Sequence, residues 1–205
     1  MSEVRSMGRR RFEFELLGYP YEHTIVLVAL YLVGRVGRYR LSEILKIGEG
    51  RLRGIIKSMV KKGLIESKRG GSALTEKGKN YILTLLANFG IKNLSFMRIA
   101  LNTEVYTCLY TNVGIRENID ILAVRDEAIR GGASMALIMR YNGRGLYLPP
   151  NIGYLHDYYP ELDRKMRKEL PLEPKEVLVA ILAEELGQAL MGFLRILNLI
   201  GRVLR

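Results

Sequence analysis

The chain has almost no cysteine. Cys108 is the only one in 205 residues. No intrachain disulfide can form, a reducing compartment fits, and the thiol reads as a small buried apolar group. Residues 1–100 lack Asp altogether and hold only eight Glu. Long apolar runs are scarce too. None follows the Arg9-Arg10-Arg11 run near the start, which argues against a secretory leader there. Ile25–Val33 is too short to span a bilayer. Leu186–Leu204 has the length of a span, but it carries Gln188, Arg195 and Asn198. An arginine at mid-membrane costs roughly 2.5–3.5 kcal/mol, so the expectation is a cytoplasmic protein with no membrane segment.

Motifs of catalysis are missing as well. No HExxH, Walker motif, GxGxxG or CxxC pair occurs, so the commonest metal and nucleotide sites are not signalled. The two histidines, His23 and His156, lie far apart, and no motif pairs either with a nucleophile. His156 reads as a surface histidine in the Gly153–Tyr159 loop. The expectation is a protein that is not an enzyme, with no cofactor and no metal.

What is present is positive charge, unevenly placed. Hydrophobic residues make up 48% and charged residues 26% of the chain, the balance of an ordinary globular protein, but the net charge is +11. Residues 1–100 hold 19 Lys and Arg against those eight Glu, whereas residues 101–205 hold 13 of each sign. The whole excess sits in one half. Solubility does not require that asymmetry; attraction to a polyanion does.

Residues 1–19 form a basic arm, either a solvated tail or an arm that follows a DNA groove. Tyr21–Gly34 predicts a helix, apolar on more than one side through Ile25, Val28, Ala29 and Leu32 with Val26, Leu27, Leu30 and Val33. Arg38–Arg40 reads as a short extended piece and Leu41–Ile47 as a second helix. Over Arg51–Lys62, residues Leu52, Ile55, Ile56, Met59 and Val60 follow helical spacing and predict a core stripe. The opposite side presents Arg51, Gly54, Lys57, Ser58 and Lys61, with Arg53 at its border and no acid. Glycine allows close approach, while arginine and serine bond base edges or phosphates. Leu64–Arg69 and Ala73–Thr75 flank Gly70-Gly71, a hairpin signal, and a further helix runs over Asn80–Phe89.

The run Gly63-Leu64-Ile65, a basic glycine tip, Leu74-Thr75 and Gly78 resembles the end of a winged helix-turn-helix regulator domain, over roughly residues 20–90. The turn Gly48-Glu49-Gly50 lacks that family's usual capping Ser or Thr, which leaves the start of the third helix open. The resemblance implies that the third helix enters the major groove and that the hairpin touches the backbone. Carried over by position, Arg51, Arg53, Lys57, Ser58 and Lys61 face DNA from that helix. Lys68 and Arg69 do so from the wing, and Arg40 from the entry to helix two.

In the second half, Val105–Asn112 is β-prone. Asp120 caps a helix over Ile121–Arg130, and Ala136–Tyr141 with Leu146–Leu148 flank Asn142-Gly143. Pro160–Leu170 reads as a surface helix. Glu176–Leu182 is either a strand buried on both faces or the front of one long helix ending at Leu204. The order β-α-β-β-α-β plus a closing helix fits a ferredoxin-like arrangement. The segment Arg125-Asp126-Glu127-Ala128-Ile129-Arg130-Gly131-Gly132-Ala133 with its hairpin resembles an uncharacterised domain found behind winged helices in archaeal regulators. That resemblance implies no ligand. Arg125, Asp126, Arg130 and Tyr154 are candidates for a small-effector site, or else parts of a surface ion network. The closing helix packs on the sheet or forms a dimer interface.

The expected fold class is therefore α+β: the arm 1–19, a winged helix over 20–92, and a sensor or dimerisation domain over 93–205. The expected function is a homodimeric transcription regulator of double-stranded DNA. A winged-helix protein-interaction module and an RNA-binding protein are the alternatives.

Overall fold

The computed structural model describes residues 15–16, 19–101, 103–113 and 120–203. The basic arm lies outside these residues, apart from β1 (Glu15–Leu16) and the first residue of β2 (Tyr19–Pro20), which pair antiparallel. Then come α1 (Tyr21–Val33), α2 (Arg38–Leu45), α3 (Glu49–Lys61), the hairpin β3 (Ile65–Lys68) and β4 (Gly71–Leu74), and α4 (Glu76–Asn88). This is a winged helix-turn-helix. As its composition predicts, α1 is buried on several sides, with Ile25 through Leu30 all in the core. Thr75 caps α4 by accepting from the Gly78 amide (3.1 Å), and its hydroxyl donates to the Gly63 carbonyl (2.6 Å). One residue thus joins the end of α3, the wing and α4.

Three local expectations are corrected. The helix expected from Asn80 begins at Glu76, because Thr75 caps it four residues earlier. Arg38–Arg40 is not extended: it forms the first turn of α2 behind Gly37. The extended residue is Val36, which bridges Ser72 on the wing through backbone bonds of 3.0 and 2.9 Å. Val60 leaves the core stripe and is 41% exposed.

The second lobe contains β5 (Leu94–Leu101), β6 (Glu104–Val113), α5 (Ile121–Arg130), β7 (Met135–Tyr141), β8 (Leu146–Leu148) and β9 (Gly153–Tyr154). It continues with α6 (Leu155–Tyr158), α7 (Pro160–Glu169), β10 (Val177–Ala183) and α8 (Leu186–Val203). One antiparallel sheet runs β5-β6-β10-β7-β8-β9. The long-helix alternative is excluded: β10 is a strand and every residue of it is buried. Its alternation sends Val177, Val179 and Ile181 into the core under α5 and α8. Leu178, Ala180 and Leu182 point to the opposite face, with Leu162, Met166 and Leu170 around α7. Among the described residues no helix is long and apolar enough to cross a membrane.

From β6 to β10 the expected β-α-β-β-α-β order is interrupted by β9 and α6, which precede α7, and the arrangement departs from a ferredoxin-like sandwich. There both helices share one face of the sheet. Here α5 and α7 lie on opposite faces, and β10 and β7 are central. The physical reason is α8. It is apolar enough to claim, together with α5, the face that turns toward the winged helix, which leaves the other face for α7.

The two lobes share a core. One continuous cluster of buried side chains runs from Ile25 and Leu52 through Leu109 and Val179 to Phe193 and Ile200. Tyr21 donates its hydroxyl to the Met191 carbonyl at 2.8 Å. The segment between the lobes is pinned by Asn112, which is fully buried. Its amide donates to Glu176 (2.9 Å) and to the Gly90 carbonyl (3.1 Å), and its oxygen accepts from the Lys92 amide (3.0 Å). Glu176 is itself buried, with Lys92 Nζ at 3.5 Å. Asn112→Ala strips a buried carboxylate of a donor, so it is expected to cost about 2 kcal/mol. Chemical denaturation checks this; a change under a few tenths would show that water replaces the amide.

Candidate nucleic-acid interface

The interface is built outward from the core stripe of α3. Leu52, Ile55, Ile56 and Met59 are buried, so the 100° step per residue turns Arg53, Gly54, Lys57 and Lys61 to solvent, where all four are exposed. Ser58 is half-buried at the border. The helix starts at Glu49 behind an uncapped Gly48, two residues before the predicted start, which places Arg51 and Arg53 in its first turns. At the other end Lys77 donates to the Lys62 carbonyl (3.0 Å), satisfying one terminal acceptor.

Acids do approach this surface, contrary to the expectation of an acid-free face. Glu22 of α1 forms an ion pair with Arg51. Glu49, on the first turn of α3 itself, stands 4.0 Å from Arg38. Arg53, Lys57 and Lys61 make no ion pair among the described residues. The second lobe does not cover them: α8 docks on α2, where Lys46 faces Glu185 at 3.8 Å, and the outer face of α3 stays exposed.

The other predicted contacts are placed as follows. Arg40 projects from the first turn of α2 with Glu43 at 3.1 Å. Lys68 and Arg69 are exposed on the wing. Lys68 and Arg35 beside Glu66 hold its carboxyl below the usual range, with Lys68 Nζ at 2.9 Å. Arg69 has no such partner among the described residues. Arg35 was not anticipated. It braces the wing by donating to the Gly71 carbonyl at 2.9 Å. Gly71 is needed there, because it sits at φ +113° and a Cβ would lie 2.4 Å from the Val36 oxygen. Tyr39, exposed beside Arg38 on α2, is a second neighbour that periodicity did not single out.

The candidate effector residues do not converge. Arg125 and Asp126 lie on the solvent side of α5. Arg130 pairs with Glu127 (2.8 Å), whose other oxygen accepts from Arg195 of α8 (2.8 Å). Tyr154 stands two strands beyond β7, on the sheet edge, stacked on His156 (5.3 Å between centroids) and edge-on to Tyr147 (5.9 Å). A surface ion network is what α5 and α8 display. Cys108 is buried, and burial pushes its thiol up to about 12, so it is a packing group as the sequence implied.

The fold, with its outward cationic helix, defines a winged helix-turn-helix protein that carries a two-sided α/β lobe. Comparison with known proteins agrees at this level. Residues 23–80 match the family model described as PH0730-like, N-terminal domain, and residues 102–199 match the one described as Domain of unknown function (DUF4443). Among solved structures the chain is similar to the hypothetical protein PH0730 from Pyrococcus horikoshii OT3. That likeness has 24% identity and a TM-score of 0.70, covering 88% of this chain and 92% of that one. At this identity it shows the fold. No curated protein matches the chain.

Proposed function

We propose that the protein binds duplex DNA as a transcription regulator, with α3 in the major groove and the wing on the backbone. The observation that supports this best is the buried stripe on α3 with Arg53, Lys57 and Lys61 on the opposite side, which have no acidic partner among the described residues. A cationic row left bare by its own fold is suited to phosphates. The second lobe, whose candidate effector residues are dispersed, serves dimerisation in this reading. Mobility-shift titrations against duplex DNA, single-stranded DNA and RNA at two salt concentrations test it. Duplex preference with a steep salt dependence is the expected result. Equal or tighter binding to single strands or RNA, or no nucleic-acid binding at all, would overturn it.

Glu22 offers a sharper check. In this reading the carboxylate of α1 competes with DNA for Arg51. Glu22→Gln frees the guanidinium and should tighten duplex binding several-fold, with log K against log salt steeper by about 0.9 if Arg51 then reaches a phosphate. If Arg51 reads a guanine instead, discrimination at one base pair rises by roughly 1–3 kcal/mol. If Glu22→Gln produces neither change, Arg51 does not contact the DNA.

A further inference from the structure

The six-stranded sheet ends differently on its two sides. At one end β9 is two residues long and runs directly into α6, so it exposes little backbone. At the other end β5 runs for eight residues, Leu94–Leu101. It holds no proline or glycine and one charged side chain, Arg98. Its register with β6 is unbroken from Leu94↔Thr111 to Leu101↔Glu104, without a bulge. Among the described residues its backbone bonds to β6 alone. Soluble proteins blunt open edges with short strands, prolines, bulges or several charges, because unpaired N–H and C=O groups recruit another strand. β9 is blunted in this way and β5 is not.

We propose that β5 is a homodimer interface, pairing antiparallel with β5 of a second copy about a two-fold axis and joining the two sheets into one. The occupant follows from the strand's own pattern. A strand facing its own copy across a two-fold is antiparallel by symmetry, and the contact closes without leading to a filament. Residues directly opposite must share a face of the sheet. An axis at Arg98 would set two guanidinium groups against each other. An axis at Met97 places Met97 against its copy. It also sets Arg98 opposite the second copy's Phe96 on the face toward α8, a cation beside an aromatic ring. On the other face Ser95 meets the second copy's Ile99. Phe96, Met97 and Leu101 are only half-buried in the single chain, and Val105, next to Ala100 on β6, is 51% exposed. Of these, Phe96, Met97 and Leu101 lie on the edge strand that such a pairing would cover. The inference does not rest on the DNA reading, and it is measured without DNA, so each can fail alone.

Sedimentation equilibrium of the full chain at micromolar concentration is expected to give twice the chain mass. Met97→Lys sets two ammonium groups opposite each other at the axis and should weaken the dimer roughly tenfold or more, while the chain keeps a cooperative melt. Hydrogen exchange on the unaltered protein supplies the second readout. Within 94–101 the amides pointing away from β6 should be protected, and should lose protection on dilution. A monomer at these concentrations overturns the proposal. So does a dimer that is indifferent to Met97→Lys, or outward amides of β5 that exchange freely. If Met97→Lys fails to fold, dilution-dependent exchange alone decides.

Discussion

Replacing Lys57 and Lys61 together with Ala is expected to weaken binding to every duplex alike, by roughly two orders of magnitude. Hydrogen bonds to charged groups contribute about 1.5–3 kcal/mol each, and two of them at the lower figure already exceed a hundredfold. The loss should not depend on base sequence, because a lysine facing the backbone carries no sequence information. The second signature is the salt dependence. Each lost phosphate contact lowers the slope of log K against log salt by about 0.9, so the double change should flatten it by about 1.8. Both side chains are exposed and make no ion pair among the described residues, so no internal interaction is lost and stability should hardly move. A titration with unchanged slope would place the DNA elsewhere on the protein. A drop confined to one operator would make these lysines base readers instead.

The second large effect concerns the joint between the lobes. Gly187 lies on the first turn of α8, where a Cβ would stand 2.3 Å from the Ile44 carbonyl oxygen and 2.9 Å from Leu45 Cα. Those are backbone atoms at the end of α2, so no side-chain rotation relieves the contact. Gly187→Val therefore forces α8 and α2 apart. Overpacking of this kind costs about 3 kcal/mol at the upper end of its usual range, or about 10 °C in a protein of this size. Because one core runs through both lobes, the helix and sheet signals should fall together in a single transition. Thermal melts followed at two wavelengths test this. Two separated transitions, or a shift of a degree or two, would show that the lobes are joined more loosely than the packing of Gly187 implies.

Much of the candidate interface was legible because it is a local matter. Helical spacing on α3 separated Leu52, Ile55, Ile56 and Met59 from Arg53, Lys57 and Lys61 with no knowledge of neighbours. The two glycines after Arg69 announced the wing. Asp120 announced the start of α5, where it accepts from the Leu122 and Ala123 amides. Glu22 was invisible because it lies nearly thirty residues upstream of Arg51, and spacing along one element says nothing about an acid arriving from another. Strand β5 was missed for a different reason. Its apolar residues Leu94, Phe96, Met97, Ile99, Ala100 and Leu101 fall on both faces of the strand, so the period-two alternation that marks a strand is absent.

The same division holds for the whole molecule. Residue order determined the winged helix, the boundaries of most elements and the uneven charge, since each is fixed by neighbours within a turn or a hairpin. It also made β10 a candidate for burial on both faces. Tertiary structure alone decided that β10 is a strand, that α5 and α7 take opposite faces of the sheet, and that both lobes close over one core. An apolar run such as Val177–Ala183 satisfies helix and strand equally well by itself. The choice came from β6 and β7, which offer hydrogen bonds on either side of it, and those partners lie far away along the chain.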